Sequence, residues 1–124
     1  MPDDRSSKDQ EATIAGGAPV YNVTRRRRPM FLRQLKGPGA PRDVPLELDE
    51  VVLGRGLDAQ VSIESGAVSR RHASLVRSNE RYTCVDLESS NGVFVNGERV
   101  SSKELRDGDS VQVGDALFVF YEAR

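Results

Sequence analysis

The sequence predicts an all-β fold, an antiparallel β-sandwich preceded by a disordered N-terminal tail, and three observations carry that prediction. From Met30 onward the chain is built of short apolar or alternating runs, the period-2 pattern of strands with one buried face. Turn-forming pairs, Gly-Pro, Asn-Gly and Asp-Gly, stand between those runs. No stretch keeps an apolar 3.6-residue period long enough for a substantial helix, so helix is expected to be nearly absent.

Residues 1 to 28 are rich in Asp, Ser, Gly, Ala and Arg with no sustained apolar period. Such a segment cannot bury enough surface to offset its ordering entropy, and it is read as the tail. The domain is placed at residues 29 to 124, beginning where the composition changes at Pro29. Its runs follow in order: "FLRQL" and "VPLEL", then "EVVLGR", "AQVSIE" and "HASLVR", then "RYTCVDL", "GVFVNGERV", "DSVQVGD" and "LFVFYE". Runs of this length with turn signals between them are typical of sandwiches and barrels. Within "GVFVNGERV", Asn96-Gly97 marks a hairpin, because both residue types tolerate the positive φ that a tight primed turn demands.

A chain of 124 residues has room for one domain with a modest core and a tail. Charged residues make up 30% of it and the formal net charge is -1. No global attraction to nucleic acid or membrane follows from that balance, so any basic chemistry is local. The single cysteine, Cys84, rules out an intramolecular disulfide framework and a four-cysteine metal site. Its place in the apolar run "YTCVDL" marks it as a buried structural thiol. The start, "MPDDRSSKDQ", carries neither a secretory signal nor an anchor pattern. A cytoplasmic protein without membrane contact is expected.

Four polar clusters punctuate the strands. They are Gly54-Arg55, Ser69-Arg70-Arg71-His72, Ser89-Ser90-Asn91-Gly92 and Asn96-Gly97. A charged group with several acceptor oxygens is held by a fixed guanidinium together with hydroxyl and amide donors. Arg55, Ser69, Ser90 and Asn91 supply that set. An arginine at a strand end suits the task better than a lysine, because its planar fork makes paired hydrogen bonds while the strand restrains its direction.

In order and spacing these clusters resemble the forkhead-associated (FHA) domain family, whose pattern is Gly-Arg, Ser-x-x-His, Asn-Gly and a second Asn-Gly. The strand pattern extends the resemblance over residues 30 to 124. The resemblance implies a β-sandwich whose loops at one end bind phosphothreonine in a partner protein. It makes Arg55 the main phosphate ligand and Ser69 a hydroxyl donor, with Arg70 and Ser90 as further phosphate contacts. Asn91 is expected to hold the backbone of the bound peptide. Gly54, Gly92 and Gly97 are read as scaffold for turns and close backbone approach. Asn96 is read as a loop bridge and His72 as an inward-facing tie between loops. Arg71 is read as solvated and stays outside the predicted site.

Certain bacterial members of the family carry an N-terminal threonine that is bound by the same chain's domain once phosphorylated, and the layout here is similar. Thr13, in "DQEATIAGG", is the candidate for phosphorylation; Thr24 is followed by four arginines that would compete with Arg55 for its phosphate.

Two rival classes remain. A hydrolase built on Ser69 and His72 would need an orienting acid and an oxyanion site, and the sequence supplies no partner acid. A nucleic-acid or anionic-surface binder would use Arg25 to Arg28, but six cations against four acids leave the tail at only +2. No aromatic platform accompanies that run. No metal site is expected, since Asp86 and Glu88 lack a second histidine or cysteine at ligand spacing. The resulting expectation is a monomeric, non-enzymatic, cofactor-free adaptor that binds phosphothreonine-containing proteins in Ser/Thr kinase signalling.

Overall fold

The computed structural model describes residues 29 to 123. Thr13, Thr24, the Arg25 to Arg28 run and Arg124 lie outside the described residues. The strands are β1 (Met30–Lys36), β2 (Arg42–Pro45), β3 (Glu50–Gly54), β4 (Val61–Ser62), β5 (Ala73–Ser78) and β6 (Arg81–Asp86). They continue with β7 (Val93–Val95), β8 (Glu98–Val100), β9 (Ser102–Glu104), β10 (Ser110–Val113) and β11 (Ala116–Glu122). There is no helix among the described residues.

Two sheets form, a six-stranded one in the order β2-β1-β11-β10-β7-β8 and a five-stranded one in the order β9-β6-β5-β3-β4. Every pairing is antiparallel except β3 with β4, where Leu53 faces Val61 and Gly54 faces Ser62. The alternation in β11 shows how sequence becomes a two-sided strand: Ala116, Phe118 and Phe120 are buried, while Leu117, Val119 and Tyr121 are half-buried on the outer face. Leu32, Val51, Leu53, Leu75, Tyr82, Val93, Val111, Phe118 and Phe120 form the core between the sheets. Tyr82 of β6 and Phe120 of β11 meet edge to face across it, with ring centroids 6.4 Å apart.

Polar ties join the layers. Gln34 is fully buried and donates to the carbonyls of Lys36 and Pro38. It accepts from Arg42 Nε at 2.6 Å, and Arg42 also donates to the Ser62 carbonyl of the other sheet. Asn96 and Gly97 both have positive φ, 53° and 84°, and close the β7–β8 hairpin. The Asn96 side chain then accepts from the Ser110 amide and donates to Asp109, bridging two loops.

Strand β9 has no counterpart among the predicted runs. Ser102, Lys103 and Glu104 are all exposed, so the segment has no apolar face to announce it. It is held by backbone pairing with Thr83–Val85 of β6. The ends of β3 and β6 and the start of β5 lie together at one end of the sandwich, because β5 runs antiparallel to both β3 and β6, and the β10–β11 turn of the other sheet meets that end where Gly114 packs against Val68. That end carries three of the four polar clusters.

Candidate functional site

The site grows from the end of β3. Beyond the last strand residue the backbone continues to pair: the Arg55 amide donates to the Ser69 carbonyl at 3.0 Å and the Gly56 amide to the Arg70 carbonyl at 3.2 Å. Arg55 is therefore exposed at its side chain but fixed at its backbone. The approach that makes this possible requires glycine before it. A Cβ at Gly54 would sit 2.0 Å from the Arg70 carbonyl oxygen, a clash between backbone segments that no rotamer relieves.

The second cluster is organised by His72, which is fully buried. Its Nδ1 accepts from the Ser69 amide at 3.0 Å and its Nε2 lies 2.7 Å from the Gly92 carbonyl. These partners assign the neutral tautomer with the proton on Nε2, since one ring nitrogen must accept and the other donate. The His72 backbone adds bonds to Leu53 and Leu87. One side chain thus ties the serine loop to the asparagine loop.

The third cluster is latched by serines and an aspartate. The Ser89 amide donates to Asp86 Oδ1, and Ser89 Oγ accepts from the Gly92 amide. Gly92 has φ of 86°, and a Cβ there would meet Arg99 Nε at 2.6 Å. The Ser90 amide donates to Ser69 Oγ at 3.1 Å, and Asn91 Nδ2 donates to the Ala67 carbonyl at 2.8 Å. The β10–β11 turn supports the same wall: Gly114 lies so close that a Cβ would stand 2.7 Å from Val68 Cγ2.

Together these contacts shape a recess of about 210 Å³ lined by Arg55, Ser69, Arg70, Ser90 and Asn91, with Gly66, Ala67 and Val68 on the remaining side. All five predicted ligand-contact residues thus face one space. Gly54, His72 and Gly92 lie behind it, while Asn96 and Gly97 stand apart in the β7–β8 hairpin. The ion pairs among the described residues are Arg33–Asp43, Arg77–Asp49 and Arg81–Glu104, none of them at the recess. Arg55 and Arg70 therefore present unneutralised guanidinium groups beside two hydroxyls and an amide. That donor set suits an anion with several oxygens.

Ser69 and His72 do not form a nucleophile and base. The imidazole takes the Ser69 amide rather than its hydroxyl, and its other nitrogen is committed to Gly92. Among the described residues there is no group of three or more His, Cys, Asp or Glu side chains that could hold a metal ion. No helix there is long and apolar enough to cross a membrane.

Sequence reasoning missed the apolar wall of Gly66, Ala67 and Val68, whose residue types carry no chemical signal. It also missed the latch of Asp86 and Ser89, for which the repeated three-residue spacing Asp86–Ser89–Gly92 was available. Arg71 lines a second groove of about 590 Å³ together with Arg55, Gly56, Leu57, Asp58 and Arg70. Elsewhere, burial pushes the Cys84 thiol up to about 12, with the nearby Asp86 charge adding to the shift.

Comparison with known proteins agrees with this geometry. The FHA domain family profile matches residues 51–114. An oxoglutarate dehydrogenase inhibitor of Corynebacterium jeikeium is 36% identical over 85 residues, 68% of this chain and 59% of that protein. The glycogen accumulation regulator GarA of Mycobacterium tuberculosis is 38% identical over 85 residues, 68% of this chain and 52% of GarA. The chain thus spans little more than half the length of these curated relatives. A solved structure from work on phosphothreonine-dependent FHA domain interactions superposes with a TM-score of 0.70 at 30% identity, covering 75% of this chain and 95% of that one. The profile match over the loops that build the recess, joined to that near-complete structural overlap, shows that this chain belongs to the FHA domain family.

Proposed function

We propose that this chain is a phosphothreonine-peptide-binding adaptor in Ser/Thr kinase signalling, with no catalytic step of its own. The observation that carries the proposal is the recess in which Arg55, Ser69, Arg70, Ser90 and Asn91 converge with, among the described residues, no carboxylate paired to either arginine. A phosphate dianion entering it gains two guanidinium partners and hydroxyl donors, each charge-assisted bond contributing about 1.5 to 3 kcal/mol. Asn91 keeps part of its amide for a ligand backbone while one N–H holds Ala67. The relatives named above as an inhibitor and a regulator, and the related structure from phosphothreonine-dependent interactions, support a regulatory binding role over an enzymatic one.

The tail supplies a candidate internal ligand. Thr13 precedes Pro29 by about 16 residues, giving a flexible chain a root-mean-square span of roughly 20 to 24 Å. A domain of this size has a radius of gyration near ~13 Å, so phosphothreonine 13 reaches the recess. The tether places it at an effective concentration of order millimolar, enough to exclude dilute external ligands. Cytoplasmic residence and a monomeric state complete the reading.

Capture from a peptide library presenting each sequence as phosphothreonine, phosphoserine and unmodified threonine tests the proposal. Selective retention of phosphothreonine peptides is expected; equal retention of the unmodified set refutes it. For the tail, binding of a captured peptide is then compared before and after stoichiometric phosphorylation of Thr13, with Thr13→Ala as control. Unchanged affinity refutes closure.

A further inference from the structure

The recess contains its own modifiable hydroxyl. Ser90 is exposed on the β6–β7 loop, lines the recess with Arg55 and Arg70, and is anchored only through its backbone, whose amide donates to Ser69 Oγ at 3.1 Å. Its own hydroxyl is in no hydrogen bond among the described residues, in contrast to the neighbouring Ser89, which is nearly buried and accepts from Gly92. We propose that Ser90 is a regulatory phosphorylation site whose phosphate closes the recess from within. The inference rests on the reading of the recess as a phosphate site.

The chemistry is ordinary kinase transfer. A Ser/Thr protein kinase joins the γ-phosphorus of ATP to Ser90 Oγ; the bond to ADP breaks, and the hydroxyl proton leaves through the kinase's general base. The product carries about -1.5 to -2 charge at a loop fixed within hydrogen-bonding distance of Ser69. Arg55 and Arg70 line the same recess and are in no ion pair among the described residues, and a phosphate placed opposite an arginine cluster makes new charge-assisted bonds. The loop need not refold to deliver it. Asp86–Ser89, Ser89–Gly92 and His72–Gly92 contacts hold the segment on either side of Ser90 in place. An external phosphothreonine then meets both a filled site and a like charge. Ser90 would thus act in two opposite ways: as a hydroxyl it offers a weak contact to the ligand, and as a phosphoester it replaces the ligand.

The test installs phosphoserine at position 90 by genetic encoding and reads two signals. Calorimetric affinity for a phosphothreonine peptide is expected to fall about 100-fold or more, the loss that follows when two charge-assisted bonds become unavailable. Ser90→Ala, which removes only the hydroxyl and leaves both guanidinium groups available, is expected to lose about tenfold, the low end for a single bond to a charged group. The second signal is the ³¹P titration of phosphoserine 90 with no peptide present. It should be shifted to lower pH in the folded protein, and should move back toward that of a free phosphoserine peptide in Arg55→Ala. Phosphoserine 90 protein that binds the peptide as tightly as Ser90→Ala, or a ³¹P titration identical with and without Arg55, overturns the proposal. Failure of the unmodified protein to bind any phosphothreonine peptide would instead overturn the reading of the recess as a peptide site, while the ³¹P signal still decides whether Ser90 and Arg55 meet.

Discussion

Replacing His72 by alanine removes a fully buried side chain that satisfies two backbone groups, the buried Gly92 carbonyl and the half-buried Ser69 amide. The Ser69 amide loses its acceptor and the Gly92 carbonyl its donor. Each orphaned group costs about 1 to 3 kcal/mol, and the space left by the ring adds a cavity cost. The expected loss is about 3 to 6 kcal/mol, a large share of the roughly 5 to 15 kcal/mol that holds a domain of this size. The chain has no tryptophan, so urea unfolding is followed by far-ultraviolet circular dichroism. His72→Asn supplies a graded control, since its carbonyl oxygen can accept from Ser69 but the shorter side chain does not reach Gly92; it should recover part of the loss. Hydrogen exchange should also speed at the Ser69 amide in His72→Ala before it speeds in the core. A His72→Ala protein within about 1 kcal/mol of the parent, with Ser69 exchange unchanged, would refute the assignment of His72 as the tie between the loops.

Other expectations follow from single contacts. Gly54→Ala must displace the Arg70 backbone, which a Cβ would meet at 2.0 Å, so peptide affinity and melting temperature should both fall; a crystal structure with the Arg55–Ser69 pairing intact would contradict this. Asn96→Ala breaks the bridge to Asp109 and Ser110 at a residue with φ of 53° and should cost about 1 to 2 kcal/mol with peptide affinity unchanged, as measured by denaturation and calorimetry on one preparation. Cys84, buried and with its thiol pushed up to about 12, should resist iodoacetamide at pH 8 in the folded protein and react in 6 M urea. Because its ionisation is harder in the folded state than in the unfolded chain, its contribution to stability is whole below about pH 9 and declines as pH rises toward 12. Rapid alkylation of the folded protein would refute the packing at β6.

Much of the fold was legible because burial on one face forces period-2 alternation, as in Ala116, Phe118 and Phe120 against Leu117, Val119 and Tyr121. The Asn96-Gly97 hairpin was legible for a separate reason, since few residue pairs accept two successive positive φ values. Strand β9 was not, because Ser102–Glu104 is exposed on every residue and is held by the backbone of β6. Nor was the parallel β3–β4 pairing, where only two residues of β4 take part. At the site, the charged and hydroxyl residues could be named from the family resemblance together with their chemistry, but the reason for Gly54 lay in a contact with Arg70, sixteen positions on. The same holds for the Asn91–Ala67 bond and for the support that Gly114 gives Val68. Contacts between loops depend on how two sheets bring their ends together, which no local pattern encodes. The buried Gln34 and its partner Arg42 make the same point, since a Gln-Arg pair whose arginine reaches across to the Ser62 carbonyl of the other sheet leaves no periodic trace.

The central claim is that Arg55 anchors a phosphate in the recess, and calorimetric titration of one phosphothreonine peptide and its unmodified twin tests it most directly. Parent protein, Arg55→Ala and Arg71→Ala are compared, with circular dichroism as the folding control; Arg71 lines the adjoining groove but not the recess. The account predicts binding of the phosphorylated peptide alone, a loss of about 100-fold or more in Arg55→Ala from the two charge-assisted bonds of its guanidinium fork, and a much smaller loss in Arg71→Ala. A folded Arg55→Ala protein that keeps the parent affinity, or a parent protein that binds both peptides equally, would contradict it.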